Sequence, residues 1–282
     1  MATAKKRAFE LRGADGGPLR GDVRAAGGGS GAPAVVICHG FKGFKDWGFF
    51  PHLADRIAKA GITAISFNFS GSGVGEDGET FSEPERFAKN TYTRELKDLE
   101  SVTAALAAGA LVDGLAVPTK VGLFGHSRGA AAALIHASEN DSMCSLVTWA
   151  AIGSVGRWSR ENVERWRAEG KLDIVNSRTG DVLPLLTDTL DDIEQNRERL
   201  DLRKAASRLR IKWTIIHADD DVDVSVADAE KLYDATRKED TELLVIPGGG
   251  HTLGAKHPWI GMTPQLSVAM DATVNRFTND LF

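Results

Sequence analysis

Short apolar runs alternate with amphipathic segments along most of the chain, and this pattern predicts its strands and helices. The run Ala34–Cys38 is apolar at every position, which is typical of a strand covered on both faces. The segment Phe49–Ala60 carries apolar residues at helical spacing and is followed by Gly61, a typical residue at a helix end. By the same criteria, further strands are predicted at Ile62–Phe69, Val121–Phe124, Ser145–Ala150, Ile211–Ile216 and Glu242–Ile246, and further helices at Thr93–Ala108, after Gly129, at Val226–Arg237 and at Thr263–Phe277.

The order of these elements predicts an α/β fold. A repeated strand, helix, strand order implies a mostly parallel sheet with right-handed crossovers and helices on both faces. Before it, Lys5–Ala26 alternates and is broken by glycines, which predicts an antiparallel hairpin. Between residues 154 and 207 the alternation of strands and helices is interrupted by a charged, tryptophan-bearing segment with short helical patterns. We therefore predict a core formed by residues 1–153 and 208–282, with residues 154–207 as an inserted helical cap.

Composition narrows the class of protein. The 282 residues are 42% hydrophobic and 26% charged, with a net charge of −5, which is typical of a globular protein and argues against a nucleic-acid partner. The chain has neither the pattern of a secretory signal nor a run of about 18 apolar residues. The two cysteines, Cys38 and Cys144, lie in apolar runs, which favours buried thiols over a disulfide or a metal pair. We predict a cytoplasmic protein without a membrane partner, either a monomer or a homodimer.

A serine at the end of one predicted strand is the first candidate for chemistry. Ser127 has Gly125 and Gly129 two residues to either side, follows the apolar run from Val121 and precedes an alanine-rich helical run. A sharp turn between a strand and a helix requires this spacing, because backbone and helix approach each other too closely for a Cβ. The pattern predicts a nucleophile elbow, with an ordinary tight turn as the alternative.

A serine nucleophile needs a neutral imidazole as base and a carboxylate that orients the imidazole. His251 follows the last predicted strand through a proline–glycine turn and is the preferred base, with His257 as the second choice. His126, inside the elbow, is expected to brace the turn. The acid is expected on the loop after His217, where the sequence leaves four candidates open: Asp219, Asp220, Asp221 and Asp223.

The negative charge of a tetrahedral intermediate needs two backbone N–H donors. The Arg128 amide directly follows the nucleophile, and the Phe41 amide follows the first parallel strand at His39 and Gly40. We predict that these two amides form the oxyanion hole, although Phe41 could equally serve as a core aromatic residue. The Arg128 side chain could favour a carboxylate-bearing substrate, or it could pair with the cluster of Asp residues after His217 or with an acidic helix.

From residue 39 to the C-terminus, the chain resembles the α/β-hydrolase superfamily. The segments 39–46 (HGFKGFKD) and 67–73 (FNFSGSG) are similar to the bacterial esterase branch that includes cinnamoyl and feruloyl esterases. In that branch the acid stands in the pattern H-G-x-x-D-x-x-V, so the resemblance selects Asp221, although Ala218 replaces the usual glycine. The resemblance also implies an oxyanion hole from Phe41 and Arg128, and a substrate covered by the inserted segment.

These residues together predict a serine carboxylesterase that acts on small acyl or aryl esters, with hydroxycinnamoyl esters included. The alternatives are a serine peptidase of the same fold, a thioesterase or lactonase, and a non-catalytic binding protein. No sequence motif calls for a metal or an organic cofactor. Four aromatic residues are candidates for the wall of the substrate pocket, or alternatively for the contact between cap and core: Phe49, Phe50, Trp158 and Trp166.

Overall fold

The computed structural model of the protein describes residues 6–25, 31–176 and 180–282. Within these ranges, the central element is a sheet of eight strands, and a separate pair of strands lies in the inserted segment. The predicted ends of the N-terminal hairpin, Lys5 and Ala26, lie outside the described residues. The strands are β1 (Lys6–Arg12), β2 (Pro18–Arg24), β3 (Ala34–Cys38), β4 (Thr63–Phe67), β5 (Val121–His126), β6 (Met143–Trp149), β7 (Lys171–Val175), β8 (Val182–Leu186), β9 (Lys212–Ala218) and β10 (Thr241–Ile246).

The central sheet has the predicted, mostly parallel arrangement. Its strand order is β1-β2-β4-β3-β5-β6-β9-β10. Strand β2 is antiparallel to both β1 and β4, which gives the predicted hairpin, and the remaining neighbours are parallel. The carboxyl ends of β3, β5, β6, β9 and β10 therefore lie at one edge of the sheet. Loops that follow these strands can meet there, and this edge is where ligands bind in open α/β sheets.

Helices cover both faces of the sheet, so the predicted α/β class is confirmed. They begin and end close to the predicted positions where apolar spacing was clear. The helices are α1 (Phe50–Lys59), α2 (Pro84–Ala88), α3 (Tyr92–Ala107), α4 (Arg128–Glu139), α5 (Arg160–Glu169), α6 (Asp188–Gln195), α7 (Leu202–Arg208), α8 (Val226–Asp234) and α9 (Pro264–Leu281).

Two buried layers hold the helices against the sheet. Successive residues of a strand point to opposite faces, so strands covered on both sides bury both sets. On one face, residues such as Val36 and Leu123 pack with α3, α4, α7 and α8. On the other face, Val35 and Phe124 pack with α1 and α9. The continuous apolar runs in the sequence follow from this double burial.

The segment 154–207 contains more than the predicted helices, because β7 and β8 form an antiparallel hairpin within it. The apolar residues of the hairpin alternate with more exposed ones, as in Leu172 and Ile174 of β7 and Leu183 and Leu185 of β8. Such alternation places one face of a hairpin on a core and the other in solvent. The helical interpretation missed this period of two.

The elements α5, β7, β8 and α6 form what we call the covering layer (residues 160–195). Their apolar residues, including Trp166 and Leu185, form a buried cluster with aromatic residues of the loops after β3 and β4, such as Phe44 and Phe81. This cluster holds the covering layer over the carboxyl edge of the sheet. Helix α7, the last element of the predicted insert, packs instead on the core side with α4.

None of the helices in residues 6–25, 31–176 and 180–282 combines the length and apolar character that a bilayer span requires. Both cysteines are free thiols, with Cys38 buried and Cys144 half-buried. Burial raises the pKa of the Cys38 thiol, and the charge of Glu95 adds to that shift.

Candidate active site

Ser127 lies at the sharp turn between β5 and α4. Its backbone has φ 55° and ψ −120°, in the left-handed region that a residue with a side chain rarely adopts. The Ser127 amide donates a hydrogen bond to the Trp149 carbonyl at 2.9 Å, which fixes the turn on the neighbouring strand. Strain of this kind at a single serine is typical of a functional site.

The two flanking glycines allow the backbone to approach within contact distance. A Cβ built on Gly125 would lie 2.5 Å from the Ala130 Cα, and one built on Gly129 would lie 2.3 Å from the His39 carbonyl oxygen. Both distances are far below a van der Waals contact. The spacing recognised in the sequence therefore has a steric cause at both glycines.

His251 lies on the loop after β10, in a short 3₁₀ turn that spans Gly250–Thr252. Its Nδ1 donates a hydrogen bond to the Asp221 Oδ2 at 2.8 Å. With its proton on Nδ1, a neutral imidazole presents an unprotonated Nε2 to a neighbouring group. The side chain is 18% exposed, so it has limited access to solvent.

Asp221 is the buried carboxylate of the four acidic candidates, and its side chain is 0% exposed. Its Oδ1 accepts hydrogen bonds from the amides of Asp223 and Val224, each at 2.9 Å. Burial raises the pKa of Asp221, but hydrogen bonds from His217, His251 and the Val224 amide outweigh burial and hold the pKa well below its usual value. Asp221 is therefore ionised at neutral pH, as a carboxylate that orients an imidazole must be.

The neighbouring acidic residues have other contacts. The Asp219 Oδ1 accepts a hydrogen bond from the Gly248 amide at 2.8 Å, and the Asp220 Oδ1 accepts one from the Gly250 amide at 2.7 Å. Both carboxylates therefore hold the loop that carries His251. The sequence offered them as alternative acids, and the structure shows them as supports of the loop.

Two buried histidines support the loops on either side of Ser127. The His126 Nε2 donates a hydrogen bond to the His251 carbonyl at 2.9 Å, so His126 links the elbow to the His251 loop. The His39 Nε2 accepts a hydrogen bond from the Phe69 amide, and its Nδ1 contacts the Gly40 carbonyl at 2.9 Å. Burial is the largest cause that lowers the pKa of His39 to about 4 and that of His126 to about 3. Both rings are therefore neutral at pH 7.

The two amides predicted for the oxyanion hole lie next to Ser127. Arg128 is the first residue of α4, where an amide has no carbonyl one helical turn before it. Gly40 brings the Phe41 segment close, because a Cβ built on Gly40 would lie 3.0 Å from the Ser127 Cβ. Phe41 also packs with its ring 5.3 Å from that of Phe87, so its side chain serves the packing as well.

The Arg128 side chain is buried and turns towards α3. Its Nε donates a hydrogen bond to the Glu95 Oε2 at 2.9 Å, and its guanidinium lies 3.9 Å from the centre of the Tyr92 ring. Of the alternatives that the sequence left open, the pairing with an acidic helix residue is the one observed. Arg128 also lines a cavity beside Ser127.

Two cavities meet at Ser127, and both are lined by Ser127, His251, Phe41 and Lys42. The first, here called the aromatic cavity, has a volume of about 400 Å³ and is also lined by Gly40, Gly43, Trp47, Phe50, His126, Asn176, Thr252, Ala255, Lys256 and His257. The second, here called the arginine cavity, has a volume of about 410 Å³ and is also lined by Tyr92, Arg128, Ile152, Val155, Arg157, Trp158, Asp223 and Val224.

Of the four aromatic residues predicted for the pocket, Phe50 lines the aromatic cavity and Trp158 lines the arginine cavity. Phe49 and Trp166 are fully buried and are not among the described residues that line either cavity. Phe49 packs on Trp149, with 4.9 Å between ring centres, and Trp166 packs on Trp158 at 5.0 Å. Phe49 and Trp166 therefore support the walls from behind.

Sequence reasoning missed Asn176, which follows β7 and brings the covering layer to the wall of the aromatic cavity. The alternation of the hairpin would have been the signal for it. His257, the second choice for the base, lines the same cavity, where its Nδ1 accepts a hydrogen bond from the Gly48 amide at 3.1 Å. Of the two candidate bases, His251 is the one that is hydrogen-bonded to Asp221, so the geometry favours the first choice.

A carboxylate oxygen of Asp221, one of Asp223 and a ring nitrogen of His251 lie within 4.8 Å of one another, as ligands of a metal ion could. However, the Asp221 oxygens already accept hydrogen bonds from two amides and from His251. A metal ion would have to displace the bond between Asp221 and His251. The donor set therefore suits a hydrogen-bonded acid–imidazole pair better than a metal site.

The sequence profile of the alpha/beta hydrolase family matches residues 35–260. The fold is similar to that of an esterase domain from a Rhodothermus marinus protein, with 14% identity, a TM-score of 0.67 and coverage of 99% of this chain and 100% of the other. It is also similar to Est1E from Butyrivibrio proteoclasticus with ferulic acid bound (17% identity, TM-score 0.71, 95% and 98% coverage). A puromycin-hydrolyzing peptidase from Mycobacterium tuberculosis matches with 20% identity and a TM-score of 0.67, over 99% of this chain and 39% of that one. No curated protein sequence matches the chain significantly.

Proposed function

Because the chain belongs to the alpha/beta hydrolase family, we propose that it is a serine hydrolase of carboxylic esters in which Ser127 is the nucleophile. The main support is one arrangement: Ser127 and His251 line the same two cavities, and His251 is hydrogen-bonded to the buried, ionised Asp221. The family match also confirms the resemblance found in the sequence. In this proposal His251 is the general base and Asp221 orients it.

The first half of the reaction forms an acyl-enzyme. The Ser127 Oγ attacks the ester carbonyl carbon while the His251 Nε2 takes the hydroxyl proton. The carbonyl oxygen becomes an oxyanion that accepts hydrogen bonds from the Phe41 and Arg128 amides, each worth a few kcal/mol. The bond from the carbonyl carbon to the alcohol oxygen then breaks, and His251 gives its proton to the departing alcohol.

The second half of the reaction repeats these steps with water. His251 takes a proton from a water molecule, whose oxygen attacks the acyl carbon and forms a second oxyanion in the same hole. The bond to the Ser127 Oγ breaks, and the proton on His251 returns to that oxygen. The products are a carboxylic acid and an alcohol, and Asp221 remains ionised throughout.

The sizes and walls of the two cavities support the proposal that the substrates are small acyl or aryl esters, with hydroxycinnamoyl esters included. Their volumes of about 400 and 410 Å³ lie within the usual range for small-molecule sites. Trp47 and Phe50 give one cavity an aromatic wall that suits an aryl or acyl group. Because both cavities are lined by Ser127, one can hold the acyl group and the other the alcohol.

The peptidase neighbour makes a serine peptidase the second candidate. A peptidase that recognises a free amino terminus needs a carboxylate to bind the ammonium group. Among the described residues that line the two cavities, Asp223 is the carboxylate available, whereas cationic side chains are more numerous. This charge balance favours the esterase, and the same acyl transfer would also serve a thioester or a lactone.

Hydrolysis of a panel of esters by the wild type and by Ser127→Ala tests the proposal. The panel contains p-nitrophenyl esters from acetate to long acyl chains, methyl ferulate and an aminoacyl anilide. We expect ester hydrolysis in the wild type and its loss in the variant, with no change in the unfolding temperature. Cleavage of the anilide alone would establish the peptidase, and ester hydrolysis that survives in Ser127→Ala would contradict the proposed nucleophile.

A further inference from the structure

The charge around Ser127 is opposite in sign to the charge of the whole protein. The chain has a net charge of −5. The two cavities are nevertheless lined by four cationic side chains, Lys42, Lys256, Arg128 and Arg157, against the carboxylate of Asp223. A cleft lined by one sign of charge focuses the field and concentrates ligands of the opposite sign.

Two of these cations, Arg157 and Lys42, are held by backbone carbonyls. The Arg157 Nη2 donates a hydrogen bond to the Asp223 backbone carbonyl at 2.7 Å, and the Lys42 Nζ donates one to the Val175 carbonyl at 3.4 Å. A carbonyl orients a cation without cancelling its charge. Within residues 6–25, 31–176 and 180–282, neither side chain forms an ion pair with a carboxylate.

Arg128 adds to the same field from inside the protein. Its partner Glu95 is buried on α3 and is not among the described residues that line the arginine cavity, whereas Arg128 is. The pair therefore presents its positive end to the cavity and keeps its negative end behind. In a buried environment such an oriented pair acts more strongly than it would in water.

The Asp223 carboxylate is the opposing charge in the arginine cavity. One of its oxygens lies within 4.8 Å of the Asp221 and His251 ligand atoms, so it is close to the reacting groups. Asp221 is also ionised and adds a negative charge near the cavity, although it is buried and is not among the described residues that line it. At the wall of the arginine cavity itself, the described charged side chains are therefore the cations Arg128, Arg157 and Lys42 and the carboxylate Asp223.

We infer that the arginine cavity selects esters in which the group bound there carries a carboxylate. The substrate is then a monoester of a dicarboxylic acid or an ester of a hydroxy acid, depending on whether the acyl group or the alcohol lies in this cavity. Arg157 is the cation that meets the carboxylate at the cavity wall. This inference rests on the proposed ester hydrolysis and names its substrate class.

The test compares matched esters in two series. In the acyl series, the mono-p-nitrophenyl ester of glutaric acid is compared with p-nitrophenyl pentanoate. In the alcohol series, the butyryl ester of 3-hydroxypropanoate is compared with propyl butyrate. The measured quantity is the charge preference, defined as kcat/KM for the anionic ester divided by kcat/KM for its neutral match. Differences of intrinsic reactivity cancel when the charge preference of a variant is divided by that of the wild type.

Three variants change the charge preference in different directions. Arg157→Gln should lower it about tenfold, because one charge-assisted hydrogen bond is lost. Asp223→Asn should raise the charge preference several-fold, because it removes one nearby negative charge. The variant keeps the backbone carbonyl of residue 223, which accepts the hydrogen bond from Arg157. Arg160→Gln is the matched control, since Arg160 is 93% exposed on α5 and does not line the described cavities. It should leave the charge preference unchanged.

Salt gives an independent readout, because screening weakens an exposed cation such as Arg157. The charge preference of the wild type should fall as ionic strength rises, and that of Arg157→Gln should fall less. A preference in one series alone supports the inference and assigns the carboxylate to that side of the ester. Hydrolysis of the neutral esters with no charge preference in either series would overturn this inference alone. No hydrolysis of any ester would overturn the proposed function with it.

Discussion

The loops at the carboxyl edge of the sheet and the covering layer above them are held in place by different forces. Around Ser127, His251 and Asp221, directional hydrogen bonds fix the His251 ring, the Asp221 carboxylate and the two loops that carry them. The covering layer is held by the apolar cluster around Trp166 and Leu185, together with a few hydrogen bonds such as that from the Thr189 Oγ1 to the Asn90 carbonyl at 2.8 Å. Directional bonds specify positions to within a few tenths of an ångström, whereas apolar packing tolerates shape changes.

Because of this difference, we expect the two regions to have different roles. In the proposed reaction the edge fixes the geometry of acyl transfer. The covering layer supplies cavity wall at Asn176, and the residues just before it supply wall at Arg157 and Trp158. Changes at the edge should therefore reduce the rate for every substrate. Changes in the covering layer should alter stability or selectivity instead.

The largest expected effect is that of Asp221→Asn. An amide cannot hold the His251 proton on Nδ1 as a carboxylate does, so we expect kcat to fall by about 10⁴-fold for all esters. Steady-state kinetics on a short and a long ester would measure this. A loss confined to one ester would contradict a role for Asp221 at the edge.

Trp166→Ala should act on stability. The side chain is fully buried in the apolar cluster of the covering layer, so its removal should cost about 3–5 kcal/mol of unfolding free energy, measured by urea unfolding. Trp158→Ala is the matched variant, because Trp158 is half-buried and lines the arginine cavity. It should cost less stability and change the preference among ester sizes by a few-fold. The reverse pattern would contradict the division between core and wall.

Acid should destabilise the loops at the carboxyl edge before it affects the covering layer, because the neutral side chains of His39 and His126 support these loops. The pKa values of about 4 for His39 and about 3 for His126 lie below the usual value of about 6.5 in an unfolded chain. The unfolded state therefore binds more protons below about pH 6.5. The stability that these histidines contribute is complete above that pH and is lost as the pH falls towards 4 and 3.

Each histidine should lower the unfolding free energy by about 1.4 kcal/mol per pH unit in this window. Asp221 and His251 are among the charged or titratable groups that face His126. Both residues are therefore kept in the two proteins that are compared. Urea unfolding between about pH 7 and pH 5 would measure the slope in the wild type and in His126→Asn. An equal slope in both proteins would show that His126 is not the titrating group.

The smallest expected effect at the edge is that of Asp220→Ala. This variant removes the hydrogen bond from the Gly250 amide but leaves the bond between Asp221 and His251 intact. We expect kcat to fall about tenfold with little change in KM, because a positioning bond is worth about 1.4 kcal/mol. Asp234→Ala, an exposed acid on α8, is the control and should leave kcat unchanged. A fall as large as that for Asp221→Asn would instead identify Asp220 as the orienting acid.

The sequence predicted the elements with strong apolar periodicity and the turn at Ser127 most closely. Helix α1 and strand β3 have the predicted position because their residues are buried on a regular pattern. The hairpin β7–β8 was missed because its short alternation is weaker than the charged, helix-favouring residues around it. Substrate walls were predicted by residue type alone, so Phe50 and Trp158 were not distinguished from Phe49 and Trp166.

The sequence by itself determined the α/β order, the glycines that the Ser127 turn requires and the small set of partners that could serve it. These features are local, since periodicity and steric demand act over a few residues. The tertiary structure decided what depends on contacts between distant segments. Asp221 is hydrogen-bonded to His251, which lies 30 residues further along the chain. Asp219 and Asp220 bind amides of the loop that carries His251, and the Arg128 side chain pairs with Glu95. Four acidic residues lie close together in this loop, and their local sequence does not show which carboxylate faces the imidazole. That depends on how the fold brings the loop and His251 together.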